Sequence, residues 1–298
     1  MRGRWLPASA LLACAVAVTG FVVALSGCGG SSAVSSAMDP VAQAAQVSEL
    51  APGFKASLSE EITPPDSSEP VTASGAGIFN QRGHRGALSL QVHVKGHSYT
   101  AEAQDSALAL YMRIPFSSPS SITHGKPWIK FDLGRVGAAL GINFSALASP
   151  GASSDPSQFL SYLKAVSGGV TRVGAEELQG VPITHYRATI DYDQYASRLP
   201  PAQRAAASQG IAALERMTGA HSQLVDVWVD ADHRVRREEL TYHECVAGVP
   251  GTSQIHLKLE FFDFGVQAAP ALPPSSEVAD VTSYVAEKLK HVKLGCSG

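Results

Sequence analysis

The feature that most constrains this chain is a strict alternation of apolar and polar residues, repeated along much of its length. Leu88, Leu90, Val92 and Val94 alternate with Ser89, Gln91, His93 and Lys95. Successive side chains of a strand point to opposite faces, so a period of two makes a half-buried strand with one apolar face. Leu108, Leu110 and Met112 repeat the pattern, as do Ile255, Leu257, Leu259 and Phe261. Read this way, strands fall at 54–62, 69–80, 85–95, 98–114 (one or two), 128–133, 170–179, 182–193, 223–230, 233–246 and 254–264. Turn-forming runs separate them, including Pro64-Pro65-Asp66-Ser67-Ser68, Lys95-Gly96-His97 and Asp230-Ala231-Asp232-His233.

Helices are fewer. Asp39-Pro40 reads as an N-cap followed by proline at the first helical position, opening a helix that stops near Leu50. A short helix is expected within 134–147, and another over 157–166 behind Asp155-Pro156. The longest spans 200–218 and ends at Gly219; a last one runs from Ser276 to about Lys290. Many antiparallel strands with helices at the start, middle and end predict an α+β domain on one large sheet rather than βαβ units. No Pro- or Gly-rich linker divides the chain after the first helix begins, so 39–298 is expected to be a single domain.

The N-terminus carries a different message. Arg2 and Arg4 precede an apolar run from Leu6 to Leu25, and Leu25-Ser26-Gly27-Cys28 follows. A basic start, an apolar stretch and small residues before a cleavage point make a secretory signal peptide. The last four residues resemble the bacterial lipobox. That resemblance implies a diacylglycerol on the Cys28 thiol and cleavage just before it. Residues 1–27 are then the leader, and the Gly/Ser-rich stretch 28–38 a flexible tether. An uncleaved span is the alternative, since the apolar run is nearly long enough to cross a bilayer; the position of Cys28 decides for the lipoprotein. Two acyl chains give stable anchoring where one does not. The expected location is the outer face of the cytoplasmic membrane, reached without a twin-Arg signal.

Charge and cysteines narrow the classes further. Losing Arg2 and Arg4 from 23 basic side chains leaves 21 against 26 acidic ones, a formal charge of −5. A mildly acidic chain has no electrostatic footprint for nucleic acid. Cys14 leaves with the leader and Cys28 takes the lipid, so Cys245 and Cys296 are the candidate disulfide; two unpaired thiols are the alternative.

Catalytic motifs are missing. There is no Gly-x-Ser-x-Gly, His-Glu-x-x-His or Gly-rich phosphate loop. Tyr242-His243-Glu244-Cys245 gathers three ligand types, yet in a strand only His243 and Cys245 share a side. Zinc would need two more, and nothing in the sequence positions His256. Asp191-Tyr192-Asp193 and Asp230-Ala231-Asp232 look like paired acids but fit turns better than calcium loops. The run Arg234 to Glu239 reads as a solvated strand face, with anionic lipid headgroups as a lesser alternative for its arginines. No enzyme, metal or cofactor is expected.

The order of segments carries a family resemblance. The lipobox, tether and first helix are followed by Trp128-Ile129-Lys130-Phe131-Asp132, then Asp155-Pro156-Ser157-Gln158-Phe159-Leu160. Next come Gly180-Val181-Pro182-Ile183-Thr184-His185-Tyr186, Val227-Trp228-Val229-Asp230 and Phe261-Phe262-Asp263-Phe264-Gly265. In this order the chain resembles actinobacterial lipoproteins of the LppX/LprG type, with a LolA-like fold. The resemblance implies a curved antiparallel half-barrel with helices closing its concave side over an apolar cavity. It also implies a lipid or lipoglycan ligand, carried or presented in the cell envelope. The segment from Val281 to Gly298 is a departure that would cap the cavity or pack outside it.

The residues themselves supply an apolar face: Leu88, Leu90, Val92, Leu108, Leu110, Met112, Val227, Val229, Ile255, Leu257 and Leu259. Alternation shows that they share a face; ordinary core is the competing assignment for each. Expected partners are the membrane through Cys28, a lipid ligand, and an exporter or another envelope protein. The alternative function is an envelope sensor or scaffold that binds another exported protein and no lipid.

Overall fold

A computed structural model describes residues 39–65, 67, 69–106, 108–113, 120–139, 163, 169–198, 201–245, 251–268 and 270–290. Helix α1 (Pro40–Glu49) opens the domain. Its N-cap is Asp39, whose Oδ1 accepts from the Val41 backbone N–H at 2.9 Å, satisfying a donor that a helix start leaves orphaned.

Six strands follow: β1 (Gly53–Thr63), β2 (Val71–Asn80), β3 (Arg85–Val94), β4 (His97–Ser106), β5 (Ala109–Arg113) and β6 (Trp128–Asp132). Short helices α2 (Ser120–Thr123) and α3 (Leu133–Ala139) flank β6. After α3 come β7 (Thr171–Leu178), β8 (Val181–Asp191), α4 (Tyr192–Arg198) and α5 (Pro201–Thr218). The described chain then forms β9 (Ser222–Asp230), β10 (Val235–Glu244), β11 (Ser253–Phe262), β12 (Val278–Asp280) and α6 (Thr282–Leu289).

All twelve strands form one open sheet in the order β12-β6-β5-β4-β3-β2-β1-β11-β10-β9-β8-β7. Two antiparallel meanders are thus sewn together where β1 meets β11. The two-residue loops of the hairpins β3–β4 and β7–β8 are X-Gly. Lys95 and Gly96 have φ 48° and 72°, Gln179 and Gly180 φ 52° and 79°. Positive φ at both central positions matches the twist of paired strands, and glycine takes it without a steric penalty.

The register defines the faces. Leu58 lies opposite Leu259 and Gly75; Gly75 lies opposite Leu90; Leu259 lies opposite Glu238, and Glu238 opposite Val227. Directly opposed residues share a face, so this row runs across six strands on one side. That side is covered by helices. Val41, Ala44 and Ala45 of α1 and Ala207 and Ile211 of α5 are buried in one cluster with Phe54, Leu58, Leu90, Val227 and Leu257. The α1 side chain of Ser48 also accepts a hydrogen bond from the β10 backbone N–H of Val235 at 2.8 Å. We call this the inner face.

Three expectations need correction. The strand expected to run to 193 stops at Asp191, where the chain turns into α4; the Asp191 carboxylate accepts from the Gln194 backbone N–H at 3.1 Å and caps it. Asp191 is therefore both the last strand residue and a helix cap. The helix expected from Ser276 begins only at Thr282. Val278–Asp280 instead pairs with β6, in parallel, the one non-antiparallel ladder among those described. Alternation over three residues is too short a signal, and the pairing depends on β6 offering an edge. Finally, the run Arg234–Glu239 is not a uniformly solvated face: Glu238 is buried on the inner side. The expected helix over 157–166 lies outside the described residues except for the buried Leu163, as does most of the one within 134–147.

Candidate functional site

The inner face holds the residues singled out from the sequence. Leu88, Leu90 and Val92 stand on β3, Val227 and Val229 on β9, and Ile255, Leu257 and Leu259 on β11, all within the large cluster. Leu110 and Met112 of β5 belong to a second, smaller cluster with Leu133, against which Leu108 packs. The tertiary structure thus divides one apolar face into two hydrophobic groups. Their packing also differs. Val227, Ile255 and Leu259 have no accessible surface, whereas Leu88, Leu90 and Val92 keep 6–9%. Leu88, Leu90 and Val92 of β3 thus keep a little accessible apolar surface, as Val229 of β9 does at 6%.

A close approach of β2 to β3 is written into β2. Its inner positions run Val71, Ala73, Gly75, Gly77 and Phe79. A Cβ on Gly75 would overlap the Ser89 carbonyl oxygen of β3, and one on Gly77 the Ala87 carbonyl oxygen. Strands approach this closely only where no side chain intervenes.

The wholly apolar inner face expected from the sequence is a further point of correction. Glu60 of β1 lies opposite Leu257 and Ala73, Glu238 of β10 opposite Leu259 and Val227, and Glu244 opposite Ser253. They are 4%, 1% and 6% exposed, respectively. In each, the Oε2 atom has no hydrogen-bond partner. Burial pushes the Glu60 carboxyl up to about 8, helped by the charge of Glu244. Burial alone pushes Glu238 up to about 8 and Glu244 up to about 7. The Tyr242 phenol is raised well above its ordinary value by burial first and then by Glu60, Glu244 and Tyr192. Glu60, Glu244, Tyr242 and Tyr192 therefore form one interacting group at one end of the inner face, while Glu238 stands apart among leucines and valines.

An unsatisfied buried polar group costs about 1–3 kcal/mol, so a core optimised only for packing would not retain three. Their signal is present in the sequence. Glu60 has the parity of Leu58 and Ile62, and Glu238 and Glu244 that of Leu240 and Tyr242.

The opposite face is polar and self-satisfied. Trp228 stacks on His185 with ring centroids 4.2 Å apart, and its indole Nε1–H donates to Glu176 at 3.0 Å. Arg237 lies over the Trp228 ring and pairs with Glu260 at 2.7 Å. Asp226 joins His185 at 2.7 Å and Arg187 at 3.0 Å. Arg237 is engaged by protein partners here, which fits the solvated-face assignment better than a lipid headgroup.

The other candidate residues fall as follows. Cys28 and Cys296 lie outside the described residues. Cys245 is buried and disulfide-bonded. His243 is exposed, and His256 is paired with Thr241 at 3.1 Å. Among the described residues, the metal-ligating side chains that converge are Asp193, Glu215 and His221, at the junction of α4, α5 and β9. There the His221 ring nitrogen already bonds Glu215 at 2.8 Å. Asp230, expected in a turn, accepts from the backbone N–H groups of Asp232 and Arg234 at 3.0 and 2.8 Å. No described helix is long and apolar enough to cross a membrane.

No known family model matches the chain. A curated protein of Streptomyces griseus, described as an uncharacterized 31.2 kDa protein in the rplA-rplJ intergenic region, is 30% identical over 164 residues. The match covers 53% of this chain and 49% of that protein, so it spans about half the length of the curated relative. Solved structures with a similar fold include the Mycobacterium tuberculosis lipoprotein LppX, at TM-score 0.42 and 11% identity, covering 78% of this chain and 95% of that one. LprF from Mycobacterium bovis has TM-score 0.37 and 11% identity over 80% and 95% of the two chains. A LolA superfamily protein from Nitrosomonas europaea has TM-score 0.26 and 8% identity over 78% and 93%. These include the LppX and LolA types named from the order of sequence segments.

Proposed function

We propose that this chain is a lipoprotein, anchored through Cys28, that shelters acyl chains of a lipid or lipoglycan against the inner face of its sheet. It carries or presents them in the cell envelope, at the outer face of the cytoplasmic membrane. The observation that supports this reading is a helix-covered apolar face spread over most of a twelve-stranded sheet. Burying acyl methylenes there is driven at about 25 cal/mol per Å², and no covalent step is required. The β3 part, which keeps accessible apolar surface, is the favoured contact. In this reading Cys245 pairs with Cys296 and ties the C-terminal tail to the end of β10.

Native mass spectrometry of the full chain, purified from membranes and followed by organic extraction, tests the ligand. Bound acyl lipid beyond the Cys28 anchor is expected, and its loss in a folded Leu90→Glu variant. An empty protein that stays empty after incubation with membrane lipids would sink the carrier reading. The scaffold alternative is favoured by one feature: among the described residues β7 ends the sheet, pairs only with β8 and is largely exposed. Such an edge can accept a strand from a partner. For the anchor, Cys28→Ala is expected to move the protein from the carbonate-washed membrane fraction to the soluble fraction. Retention on the membrane would exclude the lipid anchor.

A further inference from the structure

Glu60, Glu244 and Tyr242 lie near enough at one end of the inner face to influence one another's charge, beside the buried Ser253 and Gln223. Glu60 sits on the central strand β1, flanked on its own strand by Leu58 and Ile62 and across the ladders by Leu257 and Ala73. Tyr242 lies opposite Ile255, which in turn lies opposite Ile62. Glu244 lies two residues beyond Tyr242 on the same face of β10, by the period of the strand. Both carboxyl groups are more than nine-tenths buried, and an oxygen of each lacks a partner. Resting on the lipid-binding reading above, we propose that this group is a polar station inside the apolar surface. It would take an uncharged hydroxyl where the chains of a lipid join its head.

The chemistry selects that class. A buried carboxyl kept neutral offers one O–H donor and retains acceptor capacity, and a phenol offers the same pair. A hydroxyl is their reciprocal partner, donating to one oxygen while accepting from another. A phosphate would meet carboxyl groups with no basic residue among the residues named here. An ammonium would require ionised carboxylates in a place where burial opposes charge, as the raised values of Glu60 and Glu244 show. An uncharged hydroxyl needs neither.

The test compares two probes that differ in a single hydroxyl: 1,2-dioleoylglycerol and its 3-acetyl ester, each presented in detergent micelles to the purified full chain. The expected result is that the wild type prefers dioleoylglycerol by about tenfold, the discrimination of one ordinary hydrogen bond. Glu60→Leu and Glu244→Leu should bring the two affinities together. Glu60→Gln keeps a donor and an acceptor and should retain the preference. Tyr242→Phe removes a hydroxyl with no change in charge or shape. It should weaken the preference several-fold even if the leucine variants fail to fold. Equal binding of both probes by the wild type would overturn the proposal, as would an undiminished preference in Tyr242→Phe and the folded leucine variants. In those cases the lipid-binding reading survives. If neither probe binds, the broader reading fails and takes this proposal with it.

Discussion

Replacing Glu238 by leucine is expected to stabilise the fold at pH 8 by on the order of 3 kcal/mol. Glu238 is 1% exposed, faces Leu259 and Val227, and has an oxygen with no partner. Burial raises its carboxyl to about 8, against an ordinary value of 4.5. Between those two values the folded state holds a proton that the unfolded chain has released. Unfolding therefore becomes easier as pH rises through this window, by up to about 1.4 kcal/mol per pH unit for one group. The stability is fully present below about pH 4.5 and lost by about pH 8. Glu60 and Glu244 add slopes of the same sign, the latter ending near pH 7. Leucine removes both the titration and the unsatisfied oxygen at similar volume. Urea midpoints measured at pH 5 and pH 8.5 should diverge for the wild type and diverge less for Glu238→Leu, in which Glu60 and Glu244 still titrate. A wild-type midpoint that does not change with pH would show that Glu238 is not buried as described.

Gly75→Ala is expected to cost about 3 kcal/mol, while Gly174→Ala costs nothing or gains slightly. In a strand, glycine normally loses to alanine by about 0.5–1 kcal/mol, because its unfolded chain is more flexible. Gly174 of β7 should follow that rule, since a Cβ there meets nothing within 4 Å. At Gly75 the same methyl group would overlap the Ser89 carbonyl oxygen, and the atoms in the way are backbone. Backbone cannot rotate aside as a side chain can, so the strain of overpacking outweighs the entropic gain. Paired thermal melts give the sign directly. A Gly75→Ala variant as stable as Gly174→Ala would mean that β2 and β3 do not make this close approach.

Much of the architecture was legible because its signals are local. The alternation at Leu88–Val94 and at Ile255–Phe261 gives β3 and β11 nearly to the residue, and Asp39-Pro40 gives the start of α1. Where reading failed, the deciding interaction was distant or the segment short. Nothing local distinguishes Val278–Asp280 from a helix start; β6 supplies its ladder from 150 residues earlier. At 191–193 the strand pattern simply continued into residues that Asp191 instead caps as a helix. Glu60, Glu238 and Glu244 share the parity of their apolar neighbours, but parity alone does not separate a buried acid from an exposed one until the segments that cover it are known.

The amino-acid sequence alone determined the class of this protein: a strand-rich fold with one apolar face per strand. A period of two needs no tertiary context to choose which side chains share a face. Only the tertiary structure decided what that face contains. Pairing β1 with β11 joins two meanders, and α1 and α5 then exclude water from the joined surface. Glu60, Glu238 and Glu244 become buried acids only through that exclusion. A carboxyl group's cost depends on the water around it, and that depends on which segments fold over it.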